Sequence, residues 1–494
     1  MSLRQRAVDA VMWAGIRNWG SQAASFLVFL VLARLLPPEA FGLVAYASVL
    51  MALCQVLANQ GFALAIVQRE TVELEHIDTA FWTGIGVSAA LMALIIGLSE
   101  PIAGLVREPR LTPLLPWLSL SLVLAALSSV HSALLQRELR YRPLALRTLL
   151  ATTTGGIAGV TAAISGLGVW SLVIQQLASS STAVVVLWTS SSWRPGLRVS
   201  RAHFRDLFDF GILIVGSNLA RFFAARSDRL LIGYLLGPTE LGIYVIAFRI
   251  IQALIDFVNI TLRQVAMPLF ARMQNDLDRM RQAFYSATRV TSLASFPAFV
   301  GLAAVAPTLV PALFGNQWQA SVPIMSILAF HGIIHSIQYN GAVMVAMGKP
   351  AWSLAESLAS SLITVVGILI AARWGITGVA AVVVLRGYLV YPGALLAVRS
   401  LIHVRVFELL AGYVAPALGS IVVALVATGI TSALVGHVDA YATLAAAIAG
   451  AALSYALLIR LFAPKRWEAT RELIVLALPN RLGSAKTVRQ GPRV

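Results

Sequence analysis

Eight arginines stand inside stretches that are otherwise apolar: Arg17, Arg221, Arg226, Arg229, Arg249, Arg263, Arg289 and Arg386. A guanidinium at the centre of a membrane helix costs roughly 2.5–3.5 kcal/mol on insertion scales, so such residues face a bundle interior or a wet cavity. Arg226, Arg229, Arg263 and Arg289 lie near the ends of their stretches and can instead snorkel to the interface. The densest pattern is Arg249, Gln252, Asp256, Asn259 and Arg263, at steps of +3, +4, +3 and +4. On a helix these fall within about 80° of one another, one polar stripe on a surface otherwise made of Ile, Leu, Phe and Val. Either the stripe lines a polar cavity, or Asp256 neutralises Arg249 and Arg263 in an internal ladder. Ser217, Asn218, Arg221, Ala225 and Asp228 share a face of the preceding segment, where Asp228 and Arg229 form a self-neutralising pair. Arg17 and Asn18 lie close to Gly15 and Gly20, which permit close backbone approach. A cavity walled by these three faces is cationic and suits an anion such as phosphate, which arginine grips through two parallel donors.

Other groups carry weaker chemistry. Glu356 shares a face with Ser353 and Ser360, and Arg386 is its candidate partner. A buried carboxylate needs a proton or a partner, so the two form an ion-coupling site or a structural ion pair. His331, His335 and Gln338 also share a face. Histidines at i and i+4 can ligate a metal, but no acidic third ligand is close in sequence. A polar helix interface is expected there, with no metal and no cofactor. The single cysteine, Cys54, excludes an intramolecular disulfide and any multi-cysteine site, and its apolar setting makes it a core residue. No Walker lysine motif, GxSxG or HExxH occurs. The expected loops are too short to build a sugar-transfer site, so no catalytic residue and no enzyme is expected.

The elements that must position these groups follow from composition. Of 494 residues, 59% are hydrophobic and 12% charged, against roughly 45–50% and 25% in soluble chains. The chain is therefore a polytopic membrane protein, and nucleic-acid binding, a soluble enzyme and intrinsic disorder are excluded. Fourteen apolar segments are long enough to span, near 11–35, 41–66, 81–99, 114–135, 148–168, 169–190, 209–232, 240–265, 286–313, 321–346, 352–373, 375–398, 409–435 and 440–462. The first is too long for a cleaved signal and is read as an uncleaved anchor. With the N-terminus inside, the cytoplasmic segments carry 24 Lys and Arg and the opposite side four: Arg34, Arg107, Arg110 and Arg373. That asymmetry places both termini in the cytoplasm. Residues 463–494 form a basic tail suited to anionic lipid.

A shift of 200 residues superposes the chain on itself. Leu35, Leu36, Pro38 and Gly42 fall on Leu235, Leu236, Pro238 and Gly242; Asn18 and Asn59 fall on Asn218 and Asn259; Asp9 falls on Asp209. The copies begin six spans apart and so share an orientation. The expected fold is all-α: two six-helix lobes related by a pseudo-twofold along the membrane normal, plus two extra C-terminal helices. The lobes are 1–190 and 209–398, joined by a basic cytoplasmic linker at 191–208; spans 13 and 14 occupy 399–462.

The segment Leu32-Ala-Arg-Leu-Leu-Pro-Pro-Glu-Ala-Phe-Gly42 is similar to the Wzx-type polysaccharide exporters of the multidrug/oligosaccharidyl-lipid/polysaccharide flippase superfamily. Gly61 to Gln68, Gly168-Val-Trp170, Phe210-Gly211, Asp228 to Gly233, Leu241 to Tyr244 and Pro311 to Trp318 resemble the same family, in the same order. The nearest likeness is to colanic-acid-exporter-like and teichuronic-acid-exporter-like members, and it fades across the last two spans. The resemblance implies a bacterial inner-membrane flippase of polyprenyl-diphosphate-linked oligosaccharide, of the undecaprenyl type, serving exopolysaccharide or lipopolysaccharide assembly. It implies alternating access, with membrane lipids and the polymerase and glycosyltransferases of the pathway as partners. It carries a diphosphate-holding role to Arg17 and Arg249, and more weakly to Arg221. The substrate-binding set is therefore Arg17, Asn18, Arg221, Arg249, Gln252, Asp256, Asn259 and Arg263, with Glu356 and Arg386 for ion coupling. The competing reading, a cation-coupled multidrug antiporter of the same fold, expects an acidic cavity, whereas this one is rich in arginine.

Overall fold

The computed structural model describes residues 20–58, 62–68 and 72–462; at Leu64, Ser217 and Pro268 and along 201–214 and 259–265 it describes the helix and not the side chains. Arg17, Asn18, Asn59 and the basic tail lie outside the described residues. So do the side chains of Asn259 and Arg263. The described chain is helical, with one isolated bridge between Val435 and Val438. The helices are α1 (Gly20–Leu35), α2 (Pro38–Ala58), α3 (Phe62–Gln68), α4 (Leu74–Leu105), α5 (Leu111–Arg137), α6 (Tyr141–Ile164), α7 (Trp170–Ser190) and α8 (Arg201–Leu236). They continue as α9 (Pro238–Arg272), α10 (Leu277–Phe314), α11 (Ser321–Ser336), α12 (Asn340–Ala346), α13 (Pro350–Ala371), α14 (Gly375–Ile402), α15 (Val406–Leu434) and α16 (Ala440–Phe462).

Among the described residues, ten helical stretches are long and apolar enough to cross a membrane, and the chain is an all-α, multi-pass membrane protein. The helices α6 and α8 fall outside that set. Arg142, Arg147 and a threonine run dilute the first, and Arg221, Arg226, Asp228 and Arg229 the second. The apolar segment 321–346 is divided into α11 and α12. The break falls at Ile337-Gln338-Tyr339, where the Tyr339 hydroxyl pairs with Thr291 Oγ1 at 2.8 Å. Between α7 and α8 the irregular linker is shorter than expected, because α8 begins at Arg201. That linker is pinned to α4: Trp82 Nε1 donates to the Gly196 carbonyl at 2.8 Å, and the Ser200 N–H donates to Thr79 Oγ1 at 3.1 Å.

Packing divides the chain into two compact units. Unit 1 is Met1–Ile246 with Leu313–Ile324 and Ser357–Val382; unit 2 is Ala247–Ala312 with Met325–Glu356 and Val383–Val494. In unit 1, α6 and α7 close through Gly155 and Gly159, a GxxxG pair. A Cβ at Gly155 would strike Ser179 Oγ and the Gln175 carbonyl, and one at Gly159 the Gln175 side chain. Dispersion and backbone-close packing drive helix association in lipid, where the hydrophobic effect between helices is absent. In unit 2, α15 and α16 pack on α10: Tyr455 Oη donates to the Leu293 carbonyl at 2.8 Å and Tyr441 Oη to the Ala312 carbonyl at 3.0 Å.

Candidate functional site

The helix α9 has two chemically different sides. Leu241, Ile243, Ile246, Ala247, Ile250, Ile251 and Ile255 are buried, whereas Arg249 and Asp256 are exposed and Gln252 is half-buried. Gln252 Nε2 donates to Asp256 Oδ1 at 2.9 Å, so the carboxylate is engaged from within its own stripe. In unit 1, α8 exposes Arg221, whose Nη2 donates to Asn218 Oδ1 at 2.5 Å. Asp228 is held differently from the expected pairing with Arg229. Its Oδ2 accepts from the Tyr244 hydroxyl at 2.7 Å, and its Oδ1 accepts from the Arg229 backbone N–H at 2.8 Å. The polar face of α8 thus ends in a tie between the two helices. Arg221 belongs to unit 1 and Arg249, Gln252 and Asp256 to unit 2.

The α1–α2 and α8–α9 turns meet inside unit 1. A Cβ on Gly42 would run into the Pro238 carbonyl, and a Cβ on Gly242 would run into the Pro38 carbonyl. The pairs that match at a shift of 200 residues are therefore also the pairs that touch, each glycine against the other copy's proline. Only glycine lets two helix starts approach so closely. A second contact closes the end of α1. Its last carbonyls have no partner within the helix, and Trp318 Nε1 donates to the Ala33 carbonyl at 2.7 Å. Gln317 Nε2 donates to Ala33 at 2.8 Å and to Leu36 at 3.1 Å. In return, Arg34 Nε donates to the Leu313 carbonyl at 2.9 Å. Phe41 stands edge-on to Trp318 with ring centres 5.5 Å apart, and Phe29 edge-on to Phe314 at 5.8 Å.

The first turn of α2 is held from the side. Arg110 Nε donates to Glu108 Oε1 at 2.6 Å and Nη2 to Glu39 Oε1 at 2.7 Å. The bond to Glu108, then that to Glu39, stabilises the charged guanidinium and pushes its pKa up. Neither Gln317 nor Trp318 was expected to have a role in holding α1. Their signal in the sequence is a polar Gly-Asn-Gln-Trp run after an apolar segment, which ends α10 and turns at Gly315 with φ +97°.

Glu356 is half-buried on α13, and among the described residues no ion pair joins it to Arg386. His331 and His335 stack with ring centres 5.6 Å apart, and Phe248 lies 6.0 Å from His331. Among the described residues no three His, Cys, Asp or Glu side chains come together in a metal-ligating group. Cys54 is buried and unbridged.

Residues 31–323 match the family described as polysaccharide biosynthesis protein. The chain belongs to that family. Among polysaccharide biosynthesis proteins, it is 26% identical over 343 residues to the lipopolysaccharide biosynthesis protein WzxC of Escherichia coli, covering 68% of this chain and 69% of that one. It is 28% identical over 356 residues to the succinoglycan biosynthesis transport protein ExoT of Rhizobium meliloti, covering 71% and 72%. The fold of this family member is that of the lipid II flippase MurJ in an inward closed conformation, with TM-score 0.75, 14% identity and coverage of 94% of this chain and all of that one. An inward-facing multidrug transporter of the MATE family shares the fold less closely, with TM-score 0.58, 16% identity and coverage of 79% and 98%.

Proposed function

We propose that this protein is a flippase that carries lipid-linked oligosaccharide across the bacterial inner membrane for exopolysaccharide or lipopolysaccharide assembly. The substrate class is supported by membership of the polysaccharide biosynthesis protein family and by relatives named for lipopolysaccharide biosynthesis and succinoglycan transport. The observation that carries the mechanism is the two-sided α9, with Arg249 and Asp256 accessible on a helix whose opposite side is packed with Ile and Ala. The lipid is a polyprenyl diphosphate of the undecaprenyl type. Its negative charge loses water as the headgroup crosses, and arginines in a low-dielectric cavity replace that water with charge-assisted hydrogen bonds. Arg17, Asn18, Arg221, Arg249, Gln252, Asp256, Asn259 and Arg263 line the path, and Glu356 and Arg386 are the candidates for ion coupling.

In this reading spans 1–6 and 7–12 are two lobes that rock about a pseudo-twofold along the membrane normal, with both termini in the cytoplasm and spans 13 and 14 appended. The reciprocal contact of Gly42 and Gly242 supports it, because a twofold axis through the joint brings each residue to its counterpart's neighbour. The basic tail rests on anionic lipid. The pathway's glycosyltransferases supply the substrate, and its polymerase consumes it. An antiporter for cationic drugs is disfavoured by the four arginines, against one aspartate, in the set that lines the path. The test is polysaccharide export in a deletion strain complemented with Arg17→Ala, Arg249→Ala and the corresponding Lys variants, with membrane abundance measured alongside. The Ala variants lose export, and Lys restores it only in part because it lacks the bidentate fork. Full export by the double Ala variant at normal abundance overturns the mechanism.

A further inference from the structure

Unit 1 contains a cavity of about 460 Å³, inside the range of roughly 300–1,000 Å³ common for small-ligand sites. It lies at the end of the unit far from the glycine joint, between α3, α5, α6 and α7, and it shares no residue with the arginine stripe of α9. Ser128, Ser129 and Ser132 line it from one face of α5, Gln136 from the next turn, Ser180 from α7 and Arg147 from α6. The remaining wall is alanine, leucine and valine.

The placement is built into the fold. The glycine-closed α6–α7 pair fixes Arg147 relative to Ser180. Arg137 Nη1 donates to the Ile66 carbonyl at 2.9 Å and holds α3 against α5. Arg147 Nη1 donates to Ser132 Oγ at 3.0 Å, which lays the guanidinium along the wall. From Leu124 to Gln136 the α5 wall runs thirteen residues, about 18 Å over twelve rises of 1.5 Å, a little over half the 30 Å thickness of a hydrocarbon core. Lining the cavity, the α5 hydroxyls are within reach of a polar ligand.

The chemistry of the wall selects that ligand. Hydroxyls and a carboxamide both donate and accept, which suits a polyhydroxylated partner. A guanidinium only donates and matches the geometry of an oxyanion. No carboxylate, histidine or cysteine occurs among the described lining residues, which disfavours a metal ion or a cationic drug. We propose that this cavity binds a saccharide carrying one oxyanion, with Arg147 taking the oxyanion and Ser128, Ser129, Gln136 and Ser180 the sugar hydroxyls. The saccharide rests on the proposed function, and the cavity is then a glycan subsite apart from the diphosphate path. The oxyanion is the carboxylate of an acidic sugar or a phosphate ester carried by the sugar.

The test titrates the full-length protein in nanodiscs with D-glucuronate, D-glucose 1-phosphate, D-glucose and inorganic phosphate, using calorimetry. The wild type binds glucuronate or glucose 1-phosphate at least tenfold tighter than glucose or inorganic phosphate, and the tighter of the two identifies the source of the oxyanion. Arg147→Gln removes that preference while leaving the affinity for glucose, an outcome that a merely structural loss would not produce. Arg147→Lys restores part of the preference. Ser129→Leu, which fills the cavity, weakens both anionic sugars at least tenfold. Where Arg147→Gln fails to fold, Gln136→Leu at the accessible rim replaces it, with a fall in affinity for all three sugars. The same titrations in an Arg249→Ala background keep the Arg147-dependent difference, which separates the cavity from the α9 stripe. Equal affinities for all four compounds in the wild type, or wild-type affinities in the cavity variants, overturn the proposal. Full export by Arg249→Ala with the preference intact overturns the diphosphate path and leaves the cavity standing.

Discussion

At the Pro38 and Pro238 turns, backbone meets backbone: Gly42 lies against one carbonyl, Gly242 against its counterpart, and Trp318 and Gln317 tie off the end of α1. At the other end of the same unit, α5 and α6 part around a hydroxyl-lined space. Both regions use small residues, to opposite effect. Glycine removes the Cβ, so helices close until main chains touch and water has no room. Serine keeps a short polar arm, so helices that do not close leave a wall that water or a ligand can wet. In lipid the distinction is sharp. Close backbone contact is a main source of helix association there, and an open polar wall is stable only where something polar occupies it.

The largest expected effect is at the closed end. Trp318 is fully buried, edge-on to Phe41 and bonded to the Ala33 carbonyl. Trp318→Ala is expected to destabilise by about 3–5 kcal/mol, the range for large aromatic truncations, read as a lowered unfolding midpoint of the purified protein in detergent. An unchanged midpoint would break the comparison, because the clamp would then hold nothing.

Gly42→Ala and Gly242→Ala come next, at about 1–3 kcal/mol each, the cost of overpacking against an atom that cannot swing away. The double variant is expected to cost less than the sum, since one separation of the two turns relieves both clashes. Strict additivity in the same unfolding measurement would mean that the two glycines do not share a joint.

The smallest effect belongs to the open end. Ser129→Ala removes a hydroxyl that faces a cavity, so its unfolding midpoint is expected to stay within about 0.5 kcal/mol of wild type. A drop comparable to that of Gly42→Ala would make the two ends alike and remove the contrast.

The arginine stripe and the repeat were legible because both are local patterns. Steps of three and four place Arg249, Gln252 and Asp256 on one helix face wherever the helix ends up, and the bond between Gln252 and Asp256 lies within that face. The pairing of Asp228 was less legible. Its sequence neighbour is Arg229, but a residue and its immediate neighbour do not face each other on a helix, and the hydroxyl that reaches the carboxylate comes from Tyr244 on the following helix. The serines of α5 passed unnoticed because hydroxyls carry no charge, and in membrane helices they commonly bond back to their own backbone.

Composition and periodicity alone determined that this chain is helical and membrane-embedded, since continuous apolar runs of about 20 residues span as helices, whereas barrel strands are shorter and alternate. They also determined which residues of α9 share a face. Tertiary structure decided the rest. That Gly42 meets Pro238 and that Gln317 and Trp318 reach back almost three hundred residues to α1 depend on distances across the bundle, which no spacing along one helix encodes. The same holds for the cavity. Whether Ser128, Ser129 and Ser132 face a neighbouring helix or open space is set by how far α6 stands from α5, and no spacing along α5 encodes that distance.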